Sequence, residues 1–154
     1  MKPVAMDEAL TLQRQLCFAL YSATHAVIRT YRAALAECGL TYPQYLVVLA
    51  LMAQPSTTSG GLARVLKLDP GTLTPLLKRL TAAGLIVRER RSADERVVDI
   101  HLTERGWGLH DRLCQVKATV EESTAMDAAE LERLRAILQV LTNTLFPSGT
   151  SQSA

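Results

Sequence analysis

Leu62-Ala63-Arg64-Val65-Leu66-Lys67-Leu68-Asp69-Pro70-Gly71-Thr72-Leu73-Thr74-Pro75-Leu76-Leu77-Lys78-Arg79-Leu80 is the stretch on which the fold of this chain turns. Leu62, Val65 and Leu66 recur at helical spacing and mark a short helix. Asp69-Pro70 then opens another: the carboxylate can cap free backbone N–H groups, and proline suits a first-turn position that needs no amide hydrogen. This second helix is expected to end at Gly84. Leu73, Leu76, Leu77 and Leu80 face inward, and Thr72, Thr74, Lys78 and Arg79 face outward. Pro75 lies inside it and leaves two readings open, a local bend or a regular part beginning near Thr74. Two short helices around a tight turn form a helix-turn-helix pattern. Gly60-Gly61, at the entry to the first of them, is expected to weaken that helix and loosen the pair.

Downstream, the period changes from helical to alternating between Leu85 and Leu102. Val98, Ile100 and Leu102 fall on one face and Val97, Asp99 and His101 on the other, the pattern of a β-hairpin. Its tip, residues 90–96, is polar except for Ala93 and contains Arg90, Arg91, Asp94 and Arg96. Helix, turn, helix and basic hairpin is the order of a winged helix-turn-helix, whose second helix enters the major groove of DNA. Thr72, Thr74, Lys78 and Arg79 are then the candidates for phosphates and base edges. An arginine at the hairpin tip suits the minor groove, with Asp94 placed to hold the Arg96 guanidinium. An ordinary amphipathic helix with a cationic face shows the same residue types, and the arginine-tipped hairpin shifts the reading towards double-stranded DNA. The charge distribution agrees: residues 60–105 carry nine Lys/Arg against six Asp/Glu, while 106–154 carry four against six. That excess is modest.

Outside this head the chain is helical. Leu12, Leu16, Leu20, Ala23 and Val27 stripe a long helix from Ala9 that stops at Gly39, and Pro43 suits the first turn of a helix running to about Gln54. Leu109, Leu113, Val116 and Val120 stripe one helix after the hairpin, and Leu131, Leu134, Leu138, Leu141 and Leu145 stripe another. The expected fold is mainly α with a small β-hairpin wing. A winged helix-turn-helix head over 43–102 is flanked by dimerisation helices over 7–38 and 103–146, with a flexible tail over 147–154. The flanking stripes exceed what the head can cover, so they are expected to pack across a two-fold axis. A homodimer then predicts a palindromic operator with half-sites about one helical turn apart.

Composition removes other classes. With 154 residues and 48% apolar side chains the chain can build one good core. No apolar run is long enough to cross a bilayer, and Met1-Lys2-Pro3-Val4 lacks the start of a secretion signal, so no membrane association and a cytoplasmic location are expected. Cys17, Cys38 and Cys114 are an odd set without a CxxC pair, which argues against a disulfide framework or a zinc ribbon. His25, His101 and His110 lack metal-ligand spacing. No metal or cofactor and no enzymatic activity are expected.

The sequence resembles the MarR winged-helix regulators, specifically their organic hydroperoxide resistance branch. The resemblance rests on residues 16–22 (LCFALYS), 40–46 (LTYPQYL), 68–80 (LDPGTLTPLLKRL) and Asp94-Glu95-Arg96, spanning roughly residues 10 to 105. It implies a repressor whose thiol at Cys17 is oxidised by organic hydroperoxides, with Tyr21, Tyr31 and Tyr42 holding the thiolate, Tyr42 matching a tyrosine that the dimer partner contributes. Phenol hydroxyls donating to sulfur favour its charged, nucleophilic form. Without the resemblance, a cysteine beside a leucine stripe reads first as a small core residue. Cys38, at a helix C-terminus, is the weaker rival because that end disfavours an anion. Two-cysteine members carry a resolving cysteine where Glu122 or Ser123 falls here. Cys114, with Lys117 one turn away, is the candidate resolving thiol in its place. Otherwise a low-molecular-weight thiol would cap oxidised Cys17. The rivals are a repressor released by a small phenolic or other ligand, and a thiol peroxidase using Cys17 catalytically.

Overall fold

In the computed structural model, which describes residues 11–91 and 94–146 and only the backbone of residues 91 and 94–96, α1 runs over Leu16–Leu35. The leucine stripe predicts a helix from Ala9. Instead Leu12–Arg14 forms a 3-10 turn, and Gln15 is extended with φ −82° and ψ 122°. The Gln15 N–H closes the 3-10 turn on the Leu12 carbonyl at 3.1 Å, so an extended residue must intervene before the α-helix begins. Residues 7–10 of the expected first helix and the tail at 147–154 lie outside the described residues. At its far end α1 tightens into a 3-10 turn, Ala36–Cys38, and Gly39 takes the left-handed cap at φ 66°, as the sequence predicts.

α2 (Tyr42–Ala53) starts on a capping box in which the N–H and hydroxyl of Thr41 both donate to Gln44 Oε1, at 2.8 and 3.1 Å. This explains why Gln44, a polar residue, is buried. A two-residue strand, β1 (Thr57–Thr58), precedes α3 (Ser59–Leu66), and Thr58 Oγ1 accepts the Gly61 N–H at 3.1 Å. A β-carbon on Gly61 would collide with the Thr57 hydroxyl, so that glycine permits a close approach at the helix entry.

The tight turn after α3 is made by Lys67 in a left-handed conformation (φ 54°), with the Leu68 N–H bonded back to the Ala63 carbonyl at 3.0 Å. α4 (Pro70–Ala82) follows from an Asp69 cap. It runs on through Pro75, so the helix begins at Pro70 and not near Thr74, and Pro75 withholds one N–H from the Gly71 carbonyl. Gly84 at φ 68° ends it, with the Leu85 N–H on the Leu80 carbonyl at 3.0 Å.

The wing is β2 (Ile86–Arg91) and β3 (Asp94–Leu102), antiparallel, with Ile86 opposite Leu102 and Arg88 opposite Ile100. The sheet has three strands in the order β1-β3-β2, since Thr57 pairs with Ile100 and Thr58 with Asp99. The predicted faces hold at Ile100 and Leu102, which are buried, but Val98 is exposed because it lies beyond the core towards the tip. The register shifts between Arg90 and Arg91, so the wing narrows through an irregularity. On the other face His101 Nε2 lies 3.5 Å from Glu89 Oε2. After the sheet the helical stripe is split: a single turn, α5 (Glu104–Trp107), stands apart from α6 (His110–Ser123), with Gly108 between them.

One apolar cluster joins these elements. Leu35, Val48, Leu62, Leu77, Ile86 and Leu113 each come from a different element and are all 2% exposed or less. Two compact units divide the chain, Met1–Val120 and Glu121–Ala154. In the second, α7 (Ala128–Leu145) opens on a capping box in which the Asp127 N–H donates to Glu130 and Asp127 accepts the Glu130 N–H, both at 2.9 Å. Its apolar side chains Leu134, Ile137, Leu138, Val140 and Leu145 are exposed in the single chain.

Candidate DNA-reading head and thiol sector

α4 presents two distinct faces. Leu73, Leu76, Leu77 and Leu80 are buried, and Thr72, Thr74, Lys78 and Arg79 are exposed, as the periodicity predicts. The threonines, however, are committed locally. The Thr72 hydroxyl donates to Asp69 Oδ2 at 2.6 Å, and the Thr74 hydroxyl donates to the Pro70 carbonyl at 2.8 Å. Their protons are therefore engaged, and each offers a partner only its remaining acceptor capacity. Lys78 and Arg79 extend from the same face into solvent. Arg90 is exposed on β2. The side chains of Arg91, Asp94 and Arg96 lie outside the described residues.

Asp69 fixes the start of α4. The Thr72 hydroxyl, then the Thr72 N–H at 2.9 Å, hold its carboxyl below the ordinary range. A carboxyl depressed in the folded state contributes stability that is present above its unfolded value and lost as pH falls through the folded one. Asp69→Ala is expected to lower the thermal midpoint by a few degrees at neutral pH. That difference should vanish in acid below the depressed value; a difference undiminished there would exclude the cap as its cause.

The thiol sector is divided along α1. Cys17 is exposed in the first turn, and Tyr21, one turn on, is 61% exposed. Tyr21 meets His25 with the rings tilted and their centroids 4.3 Å apart, a partner whose only trace in the sequence is its i+4 spacing to Tyr21. Tyr31 and Tyr42 come together at 4.9 Å, and Tyr45 joins them at 5.3 Å from Tyr31. Burial, then the neighbouring Tyr31, push the Tyr42 phenol up, so it remains a protonated donor across neutral pH. Fourteen residues of helix separate Cys17 from Tyr31, about 21 Å at the helical rise. Tyr31 and Tyr42 therefore cannot reach the Cys17 of their own chain.

Cys114 is exposed on α6, and Cys38 is half-buried. Arg112 donates to the Glu37 carbonyl at 3.0 Å, which places this part of α6 at the C-terminal end of α1. Cys17 lies at the other end, roughly 30 Å along the helix. A disulfide needs Cα atoms within roughly 7 Å, so Cys17 and Cys114 of one chain cannot pair.

A profile of transcriptional regulators of the SarA/Rot family matches residues 29–113. The HTH-type transcriptional regulator TtmR of Methylorubrum extorquens is 45% identical over 92% of this chain and 71% of its own length. The chain belongs to the MarR-like winged-helix family of transcriptional regulators. It is similar to a second member, the organic hydroperoxide resistance transcriptional regulator of Bacillus subtilis, at 38% identity over 88% of this chain and 92% of that one. Among solved structures, reduced AbfR bound to DNA superposes with a TM-score of 0.73 at 33% identity, covering 87% of this chain and 92% of AbfR. This winged-helix regulator is thus a DNA-binding protein, and the fold read from its sequence is correct in class.

Proposed function

We propose that this regulator is a homodimeric repressor that senses organic hydroperoxides at Cys17 and leaves a palindromic operator when that thiol is oxidised. The observation that carries the proposal is the separation of the thiol from its phenols. Cys17 stands at one end of α1 and the Tyr31–Tyr42 pair at the other. Two antiparallel copies of α1 would bring each thiol to the partner's phenols and so build two complete sites. The exposed apolar residues Leu16 and Val27 on α1 give such a dimer surface to bury.

The chemistry needs only these groups. The Cys17 sulfur attacks one peroxide oxygen, the O–O bond breaks, an alcohol departs and sulfenic acid remains. A low-molecular-weight thiol then condenses with it, releasing water and leaving a mixed disulfide. The bulk of that cap disrupts the phenol pair and moves the two reading helices off the spacing DNA accepts. A bulky cap fits better than added oxygen alone, since the relative AbfR has also been crystallised overoxidised and bound to DNA. The similarity to the Bacillus subtilis hydroperoxide regulator supports the same reading.

In a gel shift with operator DNA, cumene hydroperoxide and a small thiol, the parent protein is expected to dissociate and Cys17→Ser to stay bound. Dissociation of Cys17→Ser by the same treatment would sink the proposal. Mass spectrometry locates the adduct, expected on Cys17.

A further inference from the structure

At the start of α6 a carboxylate, an imidazole and a thiol stand in series. His110 Nδ1 lies 2.9 Å from Asp111 Oδ1, and His110 Nε2 lies 3.9 Å from Cys114 Sγ, one helical turn on. The Asp111 contact selects the tautomer with hydrogen on Nδ1, which leaves Nε2 as an acceptor facing the sulfur. This is the order in which an oriented base activates a nucleophile. All three residues are exposed, while Leu113 and Val116 turn the other side of the helix into the core.

We propose that Cys114 is a second reactive thiol, which takes up small disulfides by thiol–disulfide exchange with His110 as its proton acceptor. The Cys114 sulfur attacks one sulfur of the reagent, whose S–S bond breaks as a new one forms to Cys114. The thiol proton passes to His110 Nε2 and on to the departing sulfur, which leaves as a thiol. One disulfide is consumed and one is made, so no separate oxidant is needed. In the single chain the face of α6 that carries Cys114 is exposed and leaves room for the group carried in.

The test uses the full chain carrying Cys17→Ser and Cys38→Ser, incubated with hydroxyethyl disulfide at neutral pH and followed by intact mass. The mixed disulfide is expected to form on Cys114. His110→Gln is expected to slow it roughly tenfold, and Asp111→Asn by less, because the carboxylate only orients the base. Circular dichroism melts check that both variants remain folded at the assay temperature. Should the two serine substitutions impair folding, peptide mapping of Cys114 in a chain that keeps all three cysteines reads the same His110 dependence. A Cys114 that stays unmodified, or a His110→Gln rate within twofold of its parent, overturns the proposal.

Discussion

Gly106→Ala is expected to lower the free energy of unfolding by about 3 kcal/mol, read as a fall in denaturant midpoint at unchanged slope. Gly106 is buried in the turn of α5, directly against the sheet. A β-carbon there would collide with the Leu85 backbone carbonyl oxygen and sit 3.0 Å from Leu102 Cδ2. A leucine methyl can rotate away, but a carbonyl at the root of β2 cannot. That backbone is fixed from both sides. The Thr103 N–H donates to the Leu85 carbonyl at 3.1 Å, and the Thr103 hydroxyl donates to the Gly84 carbonyl at 2.7 Å. Relief therefore requires the first turn of α5 to lift from the sheet, breaking these bonds together. Gly108→Ala is the control. Its β-carbon would meet nothing closer than 3.4 Å, so it should cost well under half as much. Alanine is the better helix former, so propensity alone would favour both substitutions, and equal losses would mean that the collision at Leu85 does not set the effect.

Lys78→Ala is expected to weaken operator binding roughly 10- to 100-fold and to lower the slope of log affinity against log salt by about 2. The expectation follows from the proposed dimer, in which each substitution occurs twice and each phosphate contact contributes about 0.9 to the slope. Arg79→Ala should behave alike if it too meets phosphate. It should instead discriminate between operator variants, with a smaller change in slope, if it reads a base. Thr74→Ala is the informative contrast. Its hydroxyl proton is already given to the Pro70 carbonyl, so its removal should change affinity little. Fluorescence anisotropy at several salt concentrations separates these cases. An unchanged salt slope for Lys78→Ala would place the DNA elsewhere.

The reading helix is legible in the sequence because its signals are redundant. Asp69-Pro70 marks the start, four leucines mark the inner face, and Gly84 marks the end. The hairpin is legible for a similar reason, since the alternation at Ile100 and Leu102 survives wherever one face meets a core. What escapes has a single weak signal or none. β1 is two threonines long, too short for alternation to show, and one of them doubles as a helix cap. The turn of the helix-turn-helix carries Lys67 where glycine would have advertised a left-handed residue. Gly60-Gly61 predicts a loosened head, yet Gly61 is where the Thr57 hydroxyl packs closest. The start of α1 eludes periodicity because a leucine stripe at i+4 spacing continues across Gln15, and a stripe cannot register one extended residue. The thiol sector is legible only as a set of matched residues. That Tyr31 lies too far along the helix to reach its own Cys17 follows from the spacing, but that Tyr31 meets Tyr42 and Tyr45 is set by how α2 packs on α1, which no residue identity encodes.

The placement of β3 in the middle of the sheet has a mechanical consequence. One edge of β3 is hydrogen-bonded to the wing's outer strand and the other to the two residues that lead into α3. A sideways force on the wing is thus delivered through the ladder to the root of the helix pair. Among the described residues the wing is tied through β3 to the entry of the helix pair, while β2 follows α4 directly through Gly84 and Leu85. Letting go of DNA should then be a rotation of the whole head, in which the major and minor grooves are vacated together and no half-released state stands between.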